Sequence, residues 1–409
     1  MTTAVGTIRL AVFTSLYPNS MFPRHGVFVE ERLRQLIASG RVEARVIAPV
    51  PWFFSRDARF GHYARQARVP VVEYRHGIRI DHPRYVVVPK VGMTLGPASI
   101  ARAGVAALET LLADGFDFDL IDAHYVYPDG VAASRLGQRF GRPVVMTARG
   151  ADLNSIAEMS IPGRQIRAAM RGVEGMITVS RSLADKARLL GLAPRRLQTL
   201  RNGVDLSRFT LADRDAGRKR LGLDGPVWLC VGHLIERKGM HVAIDALARV
   251  PDAELIIAGD GPEEAALKRQ VASLGVAGRT RFVGAVEHDA LVEYYNAADA
   301  LILASRSEGM PNVLLEALAC GLAVIANPVD GIPEIMTDRL AGRLTDDRTG
   351  EAVVRAWEDL QEQELTPAGR ADRRAWAEQF SWQATTDGQL ALYDDILSTR
   401  AGTATEHRP

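Results

Sequence analysis

Apolar residues fall into short β-rich runs separated by stretches with helical spacing. IRLAVFT (8–14), DLIDAHY (119–125), PVVMTA (143–148) and GMITVS (175–180) have the length and composition of strands. VFVEERLRQLIASG, DGVAASRLGQRF and SLADKARLLG have the spacing of crossover helices. This alternation predicts a parallel sheet. After the turn-rich stretch RNGVDLSRFTLADRD the pattern restarts, with PVWLCVG, AELIIAG, TRFVG, DALILAS and LAVIAN as strands. Two doubly wound α/β domains are therefore expected, 1–205 and 206–380, with the linker near 202–215. SWQATTDGQLALYDDIL predicts a helix over 381–398 that crosses back to the first domain, and 399–409 reads as a flexible tail.

The length of 409 residues suits two cores better than one. With 47% hydrophobic and 24% charged residues the composition is that of a soluble globular protein. No apolar run approaches the ~18 residues that span a bilayer, and MTTAVGTIRLAVFTS lacks a signal-peptide layout. A cytoplasmic location is expected. The only cysteines, Cys230 and Cys320, sit in apolar runs, which suits buried thiols of a reducing compartment better than a disulfide or a metal site.

Charge is split unevenly. Residues 1–205 carry 28 Lys+Arg against 17 Asp+Glu, and the remainder 22 against 32. The basic half is expected to meet an anionic partner, such as a membrane surface or a phosphorylated acceptor. No nucleic-acid module accompanies the charge, so nucleic acid is not expected.

In doubly wound sheets ligands lie outside the carboxyl ends of the strands. The strongest signal there is SRSEGMPNVLLEALACG, in which Glu308 and Glu316 flank a turn of Gly309, Met310, Pro311 and Asn312. Pro311 and Gly321 bound a short helix. Val313, Leu314, Leu315, Ala317, Leu318, Ala319 and Cys320 make that helix apolar on all sides, so Glu316 reads as an isolated charge in a core. A ribose would supply its missing partners, and the N–H groups at the helix start would face donor phosphates. Glu308, in the preceding loop, could reach a sugar. The bland alternative pairs Glu316 with a structural arginine and leaves Glu308 on the surface.

VGHLIERKGM places His233, Arg237 and Lys238 after a strand, where cations could neutralise a departing diphosphate. An isolated Arg-Lys pair is more often a solvated loop. In ELIIAGDGPEEAAL, Gly259 and Gly261 allow close backbone approach, but Glu264 breaks the G-x-G-x-x-G pattern. SLYPNSMFPRHGVFVEE leads through a loop to Gly26 at a helix start. His124 ends a strand, where a structural histidine and one meeting the reacting sugar or acceptor are equally expected. Arg149, Asp152 and Ser180 follow other strands, and each suits a cleft, a helix cap or a surface pair; Asn202 opens the linker. PWFFSRDARFGHYARQAR (51–68) interleaves aromatics with arginines, which suits an anionic membrane interface and an ordinary loop packed by its own rings about equally.

Together these stretches resemble glycosyltransferase family 4, over nearly the whole chain from SLYPN to FSWQ. The resemblance implies the GT-B fold, two Rossmann-like domains facing across a cleft, and retention of anomeric configuration. It implies a nucleoside-diphosphate sugar as donor, with an acceptor domain at 1–205 and a donor domain at 206–380. Glu316 would hold the ribose, Glu308 and the backbone of Met310, Pro311 and Asn312 the sugar and phosphate, and Lys238 the diphosphate. Gly26 would underlie the donor and His124 would sit by the reacting sugar. The combination looks like the branch that builds bacterial cell-surface polysaccharides, including teichuronic-acid-type enzymes, with a glycan or lipid-linked acceptor. His233 stands where many members have arginine, which leaves open whether Arg237 compensates. With Lys238, Arg237 and helix N-termini handling phosphate charge, no metal and no cofactor are expected. A sugar-nucleotide epimerase and a non-catalytic nucleotide-sugar-binding protein are the alternatives.

Overall fold

The computed structural model describes residues 6–88, 92–360 and 362–406. The chain divides into two compact units, Met1–Arg201 with Gln383–Pro409, and Asn202–Trp382. The first contains β1 (Ile8–Phe13), β2 (Val42–Ile47), β3 (Val50–Pro51), β4 (Val72–Arg75), β5 (Ile78–Asp81), β6 (Arg84–Tyr85), β7 (Leu120–His124), β8 (Val144–Ala148), β9 (Gly175–Thr178) and β10 (Leu197–Thr199). Eight of these form one sheet in the order β10-β9-β8-β7-β1-β2-β5-β4. It is parallel except where β4 runs against β5. Strands β3 and β6 pair separately.

Strand order turns at β1, where Val12 lies between Val46 and Asp122 of its neighbours. In such sheets the crevice for ligands opens at that turn. Ile8, Leu10 and Val12 pack against Val29, Leu33 and Leu36 of the helix Val27–Ala38, whose apolar residues recur at helical spacing.

The second unit holds β11 (Val227–Val231), β12 (Glu254–Ala258), β13 (Thr280–Gly284), β14 (Ala300–Leu303), β15 (Ala323–Ala326) and β16 (Gly342–Leu344). Their order is β13-β12-β11-β14-β15-β16, parallel throughout. Strand β11 is buried at every position, as expected of a parallel strand covered on both faces. Its Trp228 meets Trp357 edge-on at 5.7 Å.

One expectation, that of a flexible tail, needs correction, while the stretch expected as linker opens the second unit and is packed: Asn202, Val204 and Phe209 are buried. The Asn296 side chain accepts from the Ala212 N–H and donates to the Thr210 carbonyl, satisfying backbone that has no sheet or helix partner. The expected tail is helical as far as Glu406, in one helix Trp382–Glu406. Thr399 accepts from Arg196 and Arg400 donates to the Gly141 carbonyl, and the lone Gly402 is a weak helix breaker. The last three residues of that expected tail, 407–409, lie outside the described residues.

The same helix completes the first core with Leu390, Leu392, Tyr393 and Ile396. It also brings Gln389 into a buried polar group. The Gln389 carbonyl accepts from Arg32 Nε at 2.6 Å, and its amide donates to Asp122 Oδ2 at 3.4 Å and to the Tyr393 hydroxyl. Gln389→Leu would leave Arg32 and Asp122 short of partners. It is expected to cost about 2–3 kcal/mol, read as an earlier urea transition of the first unit while hydrogen exchange in the second unit is unchanged.

Candidate active site

Three loops at the carboxyl ends of β11, β14 and β15 converge in the second unit. Pro311, with φ −76° and ψ 109°, sits at the N-cap of the helix Asn312–Ala319, and no side chain caps that end. The first N–H groups of a helix have no intrahelical acceptor, so this end presents donors and positive potential. Gly309 and Met310 are buried just before it, while Asn312 and Val313 are partly exposed. Asn202 donates its amide to Asn312 Oδ1 at 2.9 Å, which brings the linker residue into the same group.

Glu308 is buried, and one of its oxygens is committed. Oε1 lies 2.7 Å from Lys238 Nζ and 2.6 Å from Ser305 Oγ. Oε2 has no partner among the described residues. A carboxylate whose orientation is fixed through one oxygen offers the other as an acceptor in a set direction. Arg237 supports this loop from below: its guanidinium donates to the Ser307 carbonyl at 2.6 Å, and its own carbonyl accepts from Arg306 N–H. Part of Arg237 is thus spent on the protein.

Glu316 is not the isolated charge expected from sequence. Tyr295 donates its hydroxyl to Oε2 at 2.8 Å, and His288 Nε2 lies 2.9 Å from Oε1. Arg208 Nη1, 3.2 Å from His288 Nδ1, can only donate, so His288 carries its proton on Nε2 and gives it to Glu316. Burial, then the Glu316 charge, raises the Tyr295 phenol well above its ordinary range, which keeps it a donor. Each Glu316 oxygen keeps a second lone-pair position, so a diol can still be accepted.

Gly259 and Gly261 serve the fold. A side chain at Gly259 would meet the Gly232 carbonyl at 1.9 Å, and one at Gly261 the Leu234 carbonyl at 2.4 Å. The close approach is to the neighbouring loop of the same unit. His233 is largely exposed, with Nδ1 3.5 Å from Asp260 Oδ1.

In the first unit, His124 is buried, with both ring nitrogens engaged. Arg149 Nη2 donates to Nδ1 at 2.8 Å, which puts the ring proton on Nε2, 3.2 Å from Asp122 Oδ2. Burial, outweighing Asp122, lowers the His124 pKa and keeps the ring neutral. Of the two roles expected for His124, this conformation shows the structural one, with both ring nitrogens used by the protein. Arg149, its pKa lowered to about 9 by burial and by Arg32, also lies over the Phe28 ring at 4.9 Å. Asp152 is an internal anchor, accepting from the backbone N–H of Val126, Arg149, Gly150 and Leu153. Ser180 is a helix cap, its hydroxyl accepting from Leu183 N–H. Gly26, at φ 74°, starts the helix Val27–Ala38 where a side chain would strike the Leu16 carbonyl at 2.3 Å.

Sequence reasoning missed Ser305, Tyr295, His288, Arg208 and Asp330 in the second unit and Asp129 in the first. Asp330 follows β15, so its strand-end position was a usable signal; Tyr295 lies inside the helix His288–Ala297 and gave none.

Two family profiles cover most of the chain: "Glycosyltransferase Family 4" matches residues 26–208 and "Glycosyl transferases group 1" matches 213–379. The putative teichuronic acid biosynthesis glycosyltransferase TuaC of Bacillus subtilis is 31% identical over 336 residues, 80% of this chain and 83% of that one. The chain belongs to glycosyltransferase family 4. Another relative of this glycosyltransferase, a D-inositol 3-phosphate glycosyltransferase of Geodermatophilus obscurus, is 32% identical over 352 residues, 79% of this chain and 77% of that one. Among solved structures, a sucrose-phosphate synthase from Thermosynechococcus elongatus superposes with a TM-score of 0.78 at 19% identity, covering 96% of this chain and all of that one. Anabaena HepE in complex with UDP and glucose gives 0.69 at 20% identity, over 97% of this chain and all of that one. The glycosyltransferase thus has the GT-B fold, with two Rossmann-like halves.

One buried carboxyl gives the enzyme a pH signature. Asp129 accepts from the Ser15 N–H and hydroxyl at 2.8 Å, and burial raises its pKa to about 7 despite those bonds. Between pH 4 and 7 the folded enzyme keeps a proton that the unfolded chain has released, so this group's contribution to stability falls as pH rises and levels off above 7. Asp129→Asn removes that dependence. Relative to wild type, the variant should gain stability between pH 5 and pH 8 in denaturant titrations; a constant difference would show that Asp129 titrates normally.

Proposed function

We propose that this enzyme is a retaining, metal-independent hexosyltransferase. It takes the sugar of a nucleoside-diphosphate donor held by the second unit and passes it to an acceptor held by the first. The observation that carries this reading is the pairing of Lys238 with one oxygen of Glu308, beside the uncapped start of the helix Asn312–Ala319. Glu308 Oε2 takes a hydroxyl of the sugar, Glu316 takes the ribose diol, and the helix N–H groups take phosphate oxygens. As the bond from the anomeric carbon to the diphosphate oxygen breaks, charge grows on the leaving group and the Lys238 ammonium stabilises it. The acceptor hydroxyl bonds to that carbon on the face the diphosphate leaves, and its proton departs with the nucleoside diphosphate. The acceptor in this reading is a glycan or lipid-linked intermediate of cell-surface synthesis; the relatives' names, which specify teichuronic acid biosynthesis and D-inositol 3-phosphate, support a glycan or a phosphorylated acceptor.

A donor panel in excess chelator, read by nucleotide release and product mass, tests this. One donor should release nucleoside diphosphate with its sugar transferred. Lys238→Ala should lower kcat ~10²–10³-fold with a smaller effect on donor affinity. Restoration by magnesium or manganese would overturn metal independence, and an isomerised donor would indicate an epimerase.

We further propose that the first unit rests on the cytoplasmic face of an anionic membrane. Among the described residues no helix is long and apolar enough to cross one. The rings of Phe53, Phe54, Phe60 and Tyr63 pack together, yet Trp52, Phe54 and Tyr63 remain 56%, 69% and 61% exposed. Arg65 and Arg68 donate to loop carbonyls, so Arg56 and Arg59 are the fitting pair to reverse. Changing both to Glu should abolish sedimentation with phosphatidylglycerol liposomes while leaving transfer to a soluble acceptor intact; unchanged sedimentation overturns the proposal.

A further inference from the structure

We propose that Asp330 is a positioning residue for Glu308, a role that rests on the reading of Glu308 as the contact to the donor sugar. Asp330 follows β15 with φ +48°, in the left-handed region that glycine enters freely and Asp and Asn enter at a smaller cost than other residues. Its Oδ2 accepts from the Glu308 N–H at 2.6 Å and from the Ser307 hydroxyl at 2.8 Å. Those residues belong to the loop after β14, the parallel neighbour of β15. The carboxylate thus ties together two loops that leave adjacent strands at the same end of the sheet. Bonds to an ionised acceptor are stronger than neutral ones, which accounts for a conformation that glycine would adopt without strain.

The tie is one half of a two-sided grip. On the other side Arg237 donates to the Ser307 carbonyl, while Lys238 and Ser305 hold Glu308 Oε1. Backbone and side chain are therefore fixed separately, and Oε2 has one direction left. A shift of the 305–308 loop would move Oε2 off the sugar hydroxyl while leaving Glu316 and its partners Tyr295 and His288 in place. Because the Glu308 N–H is used by Asp330, phosphate or sugar oxygens must be met by N–H groups from Gly309 onward.

Three variants test the proposal. Asp330→Gly removes both the tie and the strain. Asp330→Asn keeps an acceptor oxygen and tolerates the left-handed conformation. Glu308→Gln tests the underlying reading. Asp330→Gly is expected to lower kcat ~10–100-fold, as for a misplaced reacting group, with a lowered Tm, because two bonds to a carboxylate outweigh the strain relieved, and with unchanged affinity for UDP or GDP, whichever the donor panel shows to be released. Asp330→Asn should retain most of the turnover. Normal kcat in Asp330→Gly beside a crippled Glu308→Gln overturns the positioning role alone. Normal kcat in Glu308→Gln overturns the reading beneath it. Lost affinity for UDP or GDP in Asp330→Gly, or an Asp330→Asn enzyme as slow as Asp330→Gly, also overturns the proposal, because the first shows damage beyond the 305–308 loop and the second shows that hydrogen-bond acceptance is not what counts.

Discussion

A buried helix must have its carbonyl end answered inside the protein, and in the helix Asn312–Ala319 three arginines do this. Arg370 donates to the Cys320 carbonyl, Arg373 to Gly321 and Arg374 to Ala319. Burial lowers the Arg373 pKa to about 10, which still leaves it charged at neutrality. With the negative pole neutralised by cations, the helix can lie in the core and leave its positive pole uncapped at Pro311. The positions of Glu316, Asn312 and the Glu308 loop all follow from where that helix is pinned.

The first unit meets the opposite difficulty, with charges rather than a dipole in the middle of its sheet. Burial alone would raise the Asp122 pKa, but His124, Arg32 and the Tyr393 hydroxyl hold it below the usual carboxylate range. Arg32 and Asp122 each keep one buried polar atom without a partner among the described residues. Such a group is costly unless its neighbours stay fixed. It therefore ties His124 to the helix Val27–Ala38 on one side and to the returning C-terminal helix on the other.

What was legible in the sequence was local. PVWLCVG and DALILAS announced β11 and β14, and the Pro and Gly punctuation around Glu308 and Glu316 announced a short buried helix. Strands β10 and β16 are three residues long, and β16 contains the buried Arg343, so composition gave no strand signal. Glu316 read as isolated because its partners lie 21 and 28 residues away on another helix, and pairing at that separation leaves no periodic trace. His124 was correctly recognised as the end of a strand, yet only packing reveals that Asp122 and Arg149 use both of its nitrogens. Asp152 and Ser180 went the same way, since a side chain that serves backbone N–H groups looks identical in sequence to one that serves a ligand.

The first unit is discontinuous in the chain, with Asn202–Trp382 inserted before its last helix. On a ribosome, the second unit is synthesised whole before Gln389, Tyr393 and Ile396 exist to close the first core. The N-terminal half, made first, is thus completed last. Until the C-terminal helix docks, Arg32 and Asp122 stay hydrated in an open sheet, and a chain released just after Trp382 would carry a finished second unit and an unfinished first one.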